Sequence, residues 1–147
     1  MQHVFIGSDH GGFALKQELI EELRGMGVSH TDVGVHREES ADYPDIARDL
    51  ARVLLPFEGA LGILLCGTGI GISIAANKIA GVRAALCSDE YSAAMARRHN
   101  NANVLCLGGR VIGPELAKSI LHTFLTNTFE GGRHQRRVDK LEHPSLP

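Results

Sequence analysis

Tryptophan is absent from these 147 residues, and aromatic side chains make up only 5% of them. Flat platforms for unpaired bases are therefore scarce, which argues against nucleic acid as a partner. No charge of one sign dominates. The formal net charge is −2, too small to draw polyanions by a global field, so any anion site must be local. No apolar run approaches the roughly 20 residues of a bilayer span, and no membrane partner is expected. The start shows no basic stretch leading into an apolar run, so no secretory leader is read and a cytoplasmic location is expected. Cysteines number only three, Cys66, Cys87 and Cys106. An odd count, two of them inside apolar runs, is not a disulfide framework. None has the C-x2-C spacing of a zinc site. Neither a metal nor a cofactor is expected.

What is present is ordinary globular material: 44% hydrophobic and 22% charged residues. A chain this long fits one domain, read here as 1–147, and buries roughly two-thirds of its unfolded surface. Short apolar runs alternate with helix-periodic segments. Val4-Phe5-Ile6 reads as a first strand, Thr31-Asp32-Val33 as a weak second, and Leu61 to Cys66 as a solid third. Arg83 to Cys87 and Val104 to Leu107 read as the fourth and fifth. Between them, Leu15, Leu19 and Leu23 recur at helical spacing, as do Ile46, Leu50 and Leu54. Ile70 to Ile79, Tyr91 to Arg98, and Leu116, Ile120 and Phe124 follow the same period. A basic helical tail is expected over about 131–141, and fraying over 142–147. Apolar strands alternating with helices mean parallel βαβ units, hence a three-layer α/β/α sandwich around a five-stranded Rossmann-like sheet.

In such sheets ligands bind beyond the carboxyl ends of the strands. The polar, glycine-rich segments fall there. Gly7-Ser8-Asp9-His10-Gly11-Gly12 follows the first strand, and Cys66-Gly67-Thr68-Gly69-Ile70-Gly71 the third. In the second segment, alternate glycines free the backbone to turn and aim N–H groups at an anion, with the helix dipole behind them. It is neither G-x-G-x-x-G nor a Walker loop, and a tight turn without ligand has the same look. Cys66 stands at the strand end just before a helix N-terminus, where a thiolate is favoured. Cys87 and Cys106 read as small core hydrophobes. Asp9-His10 shares the rim with Cys66, although an Asp beside glycines also makes a plain Asx turn. His99-Asn100-Asn101 ends a helix and reads as a C-cap, a ligand, or both. Arg133 and Arg137 are four apart, one face of a helix, and suit a phosphate as well as a solvated tail. Arg110 is a third candidate for the same anion.

Seven segments together resemble one family. They are G-S-D-H-G-G-F-A-L-K, D-Y-P-D, L-C-G-T-G-I-G-I-S-I-A-A-N-K, R-A-A-L-C-S, R-R-H-N-N-A-N-V-L, G-G-R-V-I-G and E-G-G-R-H-Q-R-R-V. They are similar to the ribose-5-phosphate isomerase B family, which also includes galactose-6-phosphate isomerase subunits, and run from about Val4 to Val138. The resemblance implies strand order 2-1-3-5-4 and an aldose–ketose isomerase acting on a small sugar phosphate. It implies Cys66 as the base moving a proton between C1 and C2. The amides of Gly67, Gly69 and Gly71 would hold the enediolate, and Thr68 would shuttle a hydroxyl proton. His99, with Asp9, would open the furanose ring. His10, Arg110, Arg133 and Arg137 would bind phosphate, with Asn100 and Tyr43 near the sugar. It implies a homo-oligomer, dimer or tetramer, with His99 and Asn100 supplied across the interface. One branch of the family carries a Glu soon after the glycine loop. Here Ile72 holds that position and the thiol is present, so the chain resembles the thiol-base branch. The substrate by family default is ribose 5-phosphate; an allose, galactose or tetrose phosphate is the alternative. A nucleotide-binding module is the competing class, against which the loop is too short for the dinucleotide fingerprint.

Overall fold

The structure, a computed structural model, describes residues 2–144. Its elements alternate as β1 (His3–Ser8), α1 (Phe13–Gly25), β2 (Ser29–Asp32), α2 (Tyr43–Leu54) and β3 (Leu61–Cys66). They continue as α3 (Ile70–Asn77), β4 (Ala84–Leu86), α4 (Glu90–Arg98), β5 (Val104–Gly108), α5 (Pro114–Thr126) and α6 (Arg133–Glu142). The five strands form one sheet in the order β2-β1-β3-β5-β4, the order the resemblance implied. Every pairing is parallel.

Side chains alternate across the sheet and feed two cores. Ile6, Ile63, Leu65, Leu105 and Leu107 pack under α1, α4 and α5 with Leu19, Leu23, Ile120 and Phe124. Phe5, Leu64, Cys66, Val104 and Cys106 pack under α2 and α3 with Ile46, Leu50 and Ile72. All six residues of β3 are buried, as a central parallel strand covered on both faces requires.

The weak strand starts two residues earlier than its Thr31–Val33 reading and ends one earlier. It is the polar edge strand Ser-His-Thr-Asp, fixed by register with β1 rather than by its own composition. The third helix stops at Asn77, short of Ile79. There the Asn77 side chain bonds the Ala84 backbone in both directions, at 2.9 and 2.8 Å. Fraying from residue 142 is corrected as well. Glu142 closes α6, and its carboxylate pairs with Arg83 Nη1 at 2.5 Å. His143 caps the helix, its N–H donating to Asp139 O at 3.0 Å, and residues 145–147 lie outside the described residues. Among the described residues no helix is long and apolar enough to cross a membrane.

The loops at the carboxyl edge are packed backbone on backbone. A Cβ at Gly12 would lie 2.7 Å from the Leu65 carbonyl carbon, and one at Gly109 would lie 2.6 Å from Gly11 O. Asp9 N–H donates to Leu65 O at 3.2 Å and Gly109 N–H to Cys66 O at 2.8 Å. The turns after β1, β3 and β5 are thus stitched into one rim.

Candidate active site

Cys66 ends β3 with its side chain on the α2/α3 face, 5% exposed. The chain turns at Gly69, whose φ of 81° lies in the left-handed region that glycine adopts freely. That turn brings Gly69 N–H to Cys66 Sγ at 3.1 Å and starts α3 at Ile70. The sulfur therefore sits under the positive end of a helix and accepts a backbone hydrogen bond. Thr68 Oγ1 accepts from Ile70 N–H at 3.2 Å. The other two thiols are inert by environment. Burial pushes Cys87 up to about 11, with Asp89 adding to it. Burial also pushes Cys106 up strongly, with Cys66 and Cys87 adding.

Four more of the expected residues share this rim. Asp9 Oδ1 accepts from Gly11 N–H at 2.9 Å and Gly12 N–H at 3.2 Å, so it does form the Asx turn, 6% exposed. His10 Nδ1 accepts from Ala41 N–H at 3.2 Å, which leaves Nε2 to carry the proton in the neutral ring. Tyr43 opens α2 and rests on Gly71, where a Cβ would meet the ring carbon Cζ at 2.6 Å. Arg110 N–H donates to Gly67 O at 2.9 Å, and its guanidinium lies over Gly67.

The remaining four do not join them within one chain. Helix α4 runs back from the carboxyl edge to the amino edge, where Asn103 O accepts from Gly62 N–H at 2.8 Å. His99 and Asn100 precede that point. Helix α6 lies along the same edge, tied there by Arg83 to Glu142 and by Glu130 N–H to Arg98 O at 3.0 Å. Arg133 and Arg137 are both exposed on it. The six residues of β3, about 17 Å at the usual rise, separate the two edges. Arg110 is thus parted from the arginines with which it was grouped. A cavity of about 600 Å³ also lies at the amino edge, lined among others by Arg83, Asn100, Leu141 and Glu142, away from Cys66.

Sequence reasoning missed two residues. The ring of His134 stacks on that of His99, with centroids 4.2 Å apart and planes at 12°. Glu130 Oε1 lies 3.6 Å from His99 Nε2 and 3.8 Å from His134 Nε2. One signal was available: His134 and Val138, both buried, are spaced as the inward stripe of α6, one residue off the arginines.

A parallel α/β sheet with a thiol and a glycine-rich polar rim beyond one carboxyl edge is the arrangement in which α/β enzymes hold small polar ligands. The chain belongs to the ribose/galactose isomerase family, whose model matches residues 4–141. It is 49% identical over 141 residues to ribose-5-phosphate isomerase B of Escherichia coli, covering 96% of this chain and 95% of that one. It is 46% identical over 142 residues to D-erythrulose-4-phosphate isomerase of Pectobacterium atrosepticum, covering 96% and 93%. The crystal structure of a ribose 5-phosphate isomerase from Thermotoga maritima superposes with a TM-score of 0.93 at 51% identity, covering 95% of this chain and 97% of that one.

Proposed function

We propose that the protein interconverts ribose 5-phosphate and ribulose 5-phosphate in sites built from two copies of the chain. The observation that carries this reading is the division of the family's site residues between opposite edges of one sheet. Cys66 removes the C2 proton of the open-chain aldose, and the electrons move onto the C1 carbonyl oxygen. The amides of Gly67 to Gly71 hold the enediolate oxygens, the electrostatic support that enolisation needs. Sγ then returns a proton to C1, while Thr68 carries the hydroxyl proton between O2 and O1. His99 of the second copy, with Asp9, opens the ring beforehand. Arg133 and Arg137 of the second copy join His10 and Arg110 on the phosphate, and remote binding there orients the reacting carbons. Asn100 and Tyr43 line the sugar.

An exposed apolar patch supports the pairing. Ile70 and Ile74 (53% and 56% exposed) stand on the outer face of α3, and Ile70 shares a groove with Leu86 and Val111. A patch of this kind beside a site marks an interface. The test is to mix Cys66→Ala with His99→Ala chains after subunit exchange. Each heterodimer holds one intact site of two, so random mixing should restore about a quarter of wild-type activity. No recovery after proven exchange would return both residues to one chain. The Pectobacterium relative makes a four-carbon phosphate the second substrate to assay.

A further inference from the structure

We propose that His134 and Glu130 are positioning residues for His99, fixing the plane of its imidazole and supplying the counter-charge it needs as a proton carrier. The inference rests on the reading of His99 as the group that opens the sugar ring. The side chain of His99 is 35% exposed and can reach a substrate, whereas that of His134 is only 8% exposed behind it. Their near-parallel stack at 4.2 Å leaves the His99 ring little freedom to rotate. Glu130 is itself held. Its Oε2 accepts the Arg98 fork, from Nε at 2.9 Å and Nη2 at 2.8 Å, while Oε1 faces both imidazoles. That fork is the main cause keeping the Glu130 carboxyl below its usual range, so it stays ionised. Burial, then the positive charges of His99, Arg133 and Arg137, hold His134 below the usual imidazole range against the opposing pull of Glu130. A neutral ring behind His99 does not repel it when it carries a proton, and a neutral aromatic face attracts a cation.

The same three groups offer ligand atoms within 4.8 Å of one another. They do not suit a metal ion. Parallel rings send their Nε2 lone pairs side by side rather than to one point. Arg98 occupies one carboxylate oxygen, and Arg133 and Arg137 add positive charge nearby.

The test compares two substrates. Ribose 5-phosphate closes a furanose ring, whereas D-erythrose 4-phosphate cannot, because its phosphate occupies the oxygen the ring would use. His134→Ala should lower kcat/KM on ribose 5-phosphate about tenfold to a hundredfold, chiefly in kcat, the size of a misplaced catalytic group. It should leave the four-carbon substrate unchanged. Deuterium entry at C1 of ribulose 5-phosphate, also open-chain, is a second ring-free reporter and should be unchanged too. His134→Phe restores the flat backing and should recover most of the ribose activity. Equal loss with and without a ring, or no recovery with Phe, would assign His134 to folding and overturn the inference. Full ribose activity in His134→Ala beside an inactive His99→Ala would overturn the positioning role alone. Full activity in His99→Ala would overturn the ring-opening reading beneath it.

Discussion

The backbone N–H of Gly69 points at Cys66 Sγ from 3.1 Å, so the turn that starts α3 also solvates the sulfur. A side chain of methyl size at position 66 keeps the turn and loses the thiol proposed as the base. Cys66→Ala should lower kcat by about 10²- to 10⁴-fold, the usual contribution of a positioned base. Stability should fall by only about 1 kcal/mol, the cost of deleting one small buried group. Steady-state kinetics and a thermal melt on the same sample measure both. More than a tenth of wild-type kcat would sink the thiol-base assignment.

The buried thiols set an alkaline limit on stability. An unfolded Cys87 loses its proton near 9.0, whereas the folded chain holds it to about 11. The folded pKa is raised, so this contribution is intact below pH 9 and is lost as pH climbs towards 11. Melting temperature should therefore decline across that window. Cys87→Ala should flatten part of the decline, and an identical slope in the variant would remove Cys87 from the account.

Arg137 distinguishes a phosphate clamp from a solvated tail. A hydrogen bond to a charged group contributes about 1.5–3 kcal/mol, so Arg137→Ala should cost about ten- to a hundredfold in kcat/KM. Inhibition by inorganic phosphate should weaken in parallel. Unchanged kinetics on the phosphorylated substrate would exclude α6 from the site.

Lys16 is fully buried, with Nζ 2.6 and 2.8 Å from the Asp32 carboxylate oxygens and 2.5 Å from Val35 O. It ties α1 to the end of β2 and to the loop that reaches His10. Lys16→Met keeps the alkyl stem but takes the cation from Asp32, whose side chain is 25% exposed and keeps its Gly34 N–H bond at 2.9 Å. Removing one partner of a buried pair costs about 3–5 kcal/mol. The lower end is expected here, because water can reach the carboxylate. Urea unfolding gives the value, and a loss within error of zero would show the pair to be incidental.

Apolar periodicity carried most of the fold. β3 is a continuous buried run, and Leu15, Leu19 and Leu23 form one stripe of α1. β2 was placed inexactly because its four polar residues owe their conformation to pairing with β1. The rim was legible because Cys66, Thr68 and the glycines are contiguous in sequence. The His99–His134 stack was not, since 35 positions separate rings that meet only when α6 folds across the end of α4. Lys16 was invisible as a buried cation, because nothing local distinguishes it from a surface lysine beside an apolar stripe.

Two of the rim's glycines meet backbone, not open space: Gly12 against Leu65 and Gly109 against the Gly11 carbonyl. Any side chain there must push main chain aside, so these positions are closed to drift. A lineage or a directed-evolution library seeking a longer or shorter sugar cannot reshape this wall one residue at a time. The exposed positions of the amino edge, Asn100, Arg133 and Arg137, carry no such constraint. The carboxyl-edge turns are thereby held fixed, while the exposed amino-edge positions are left free to vary.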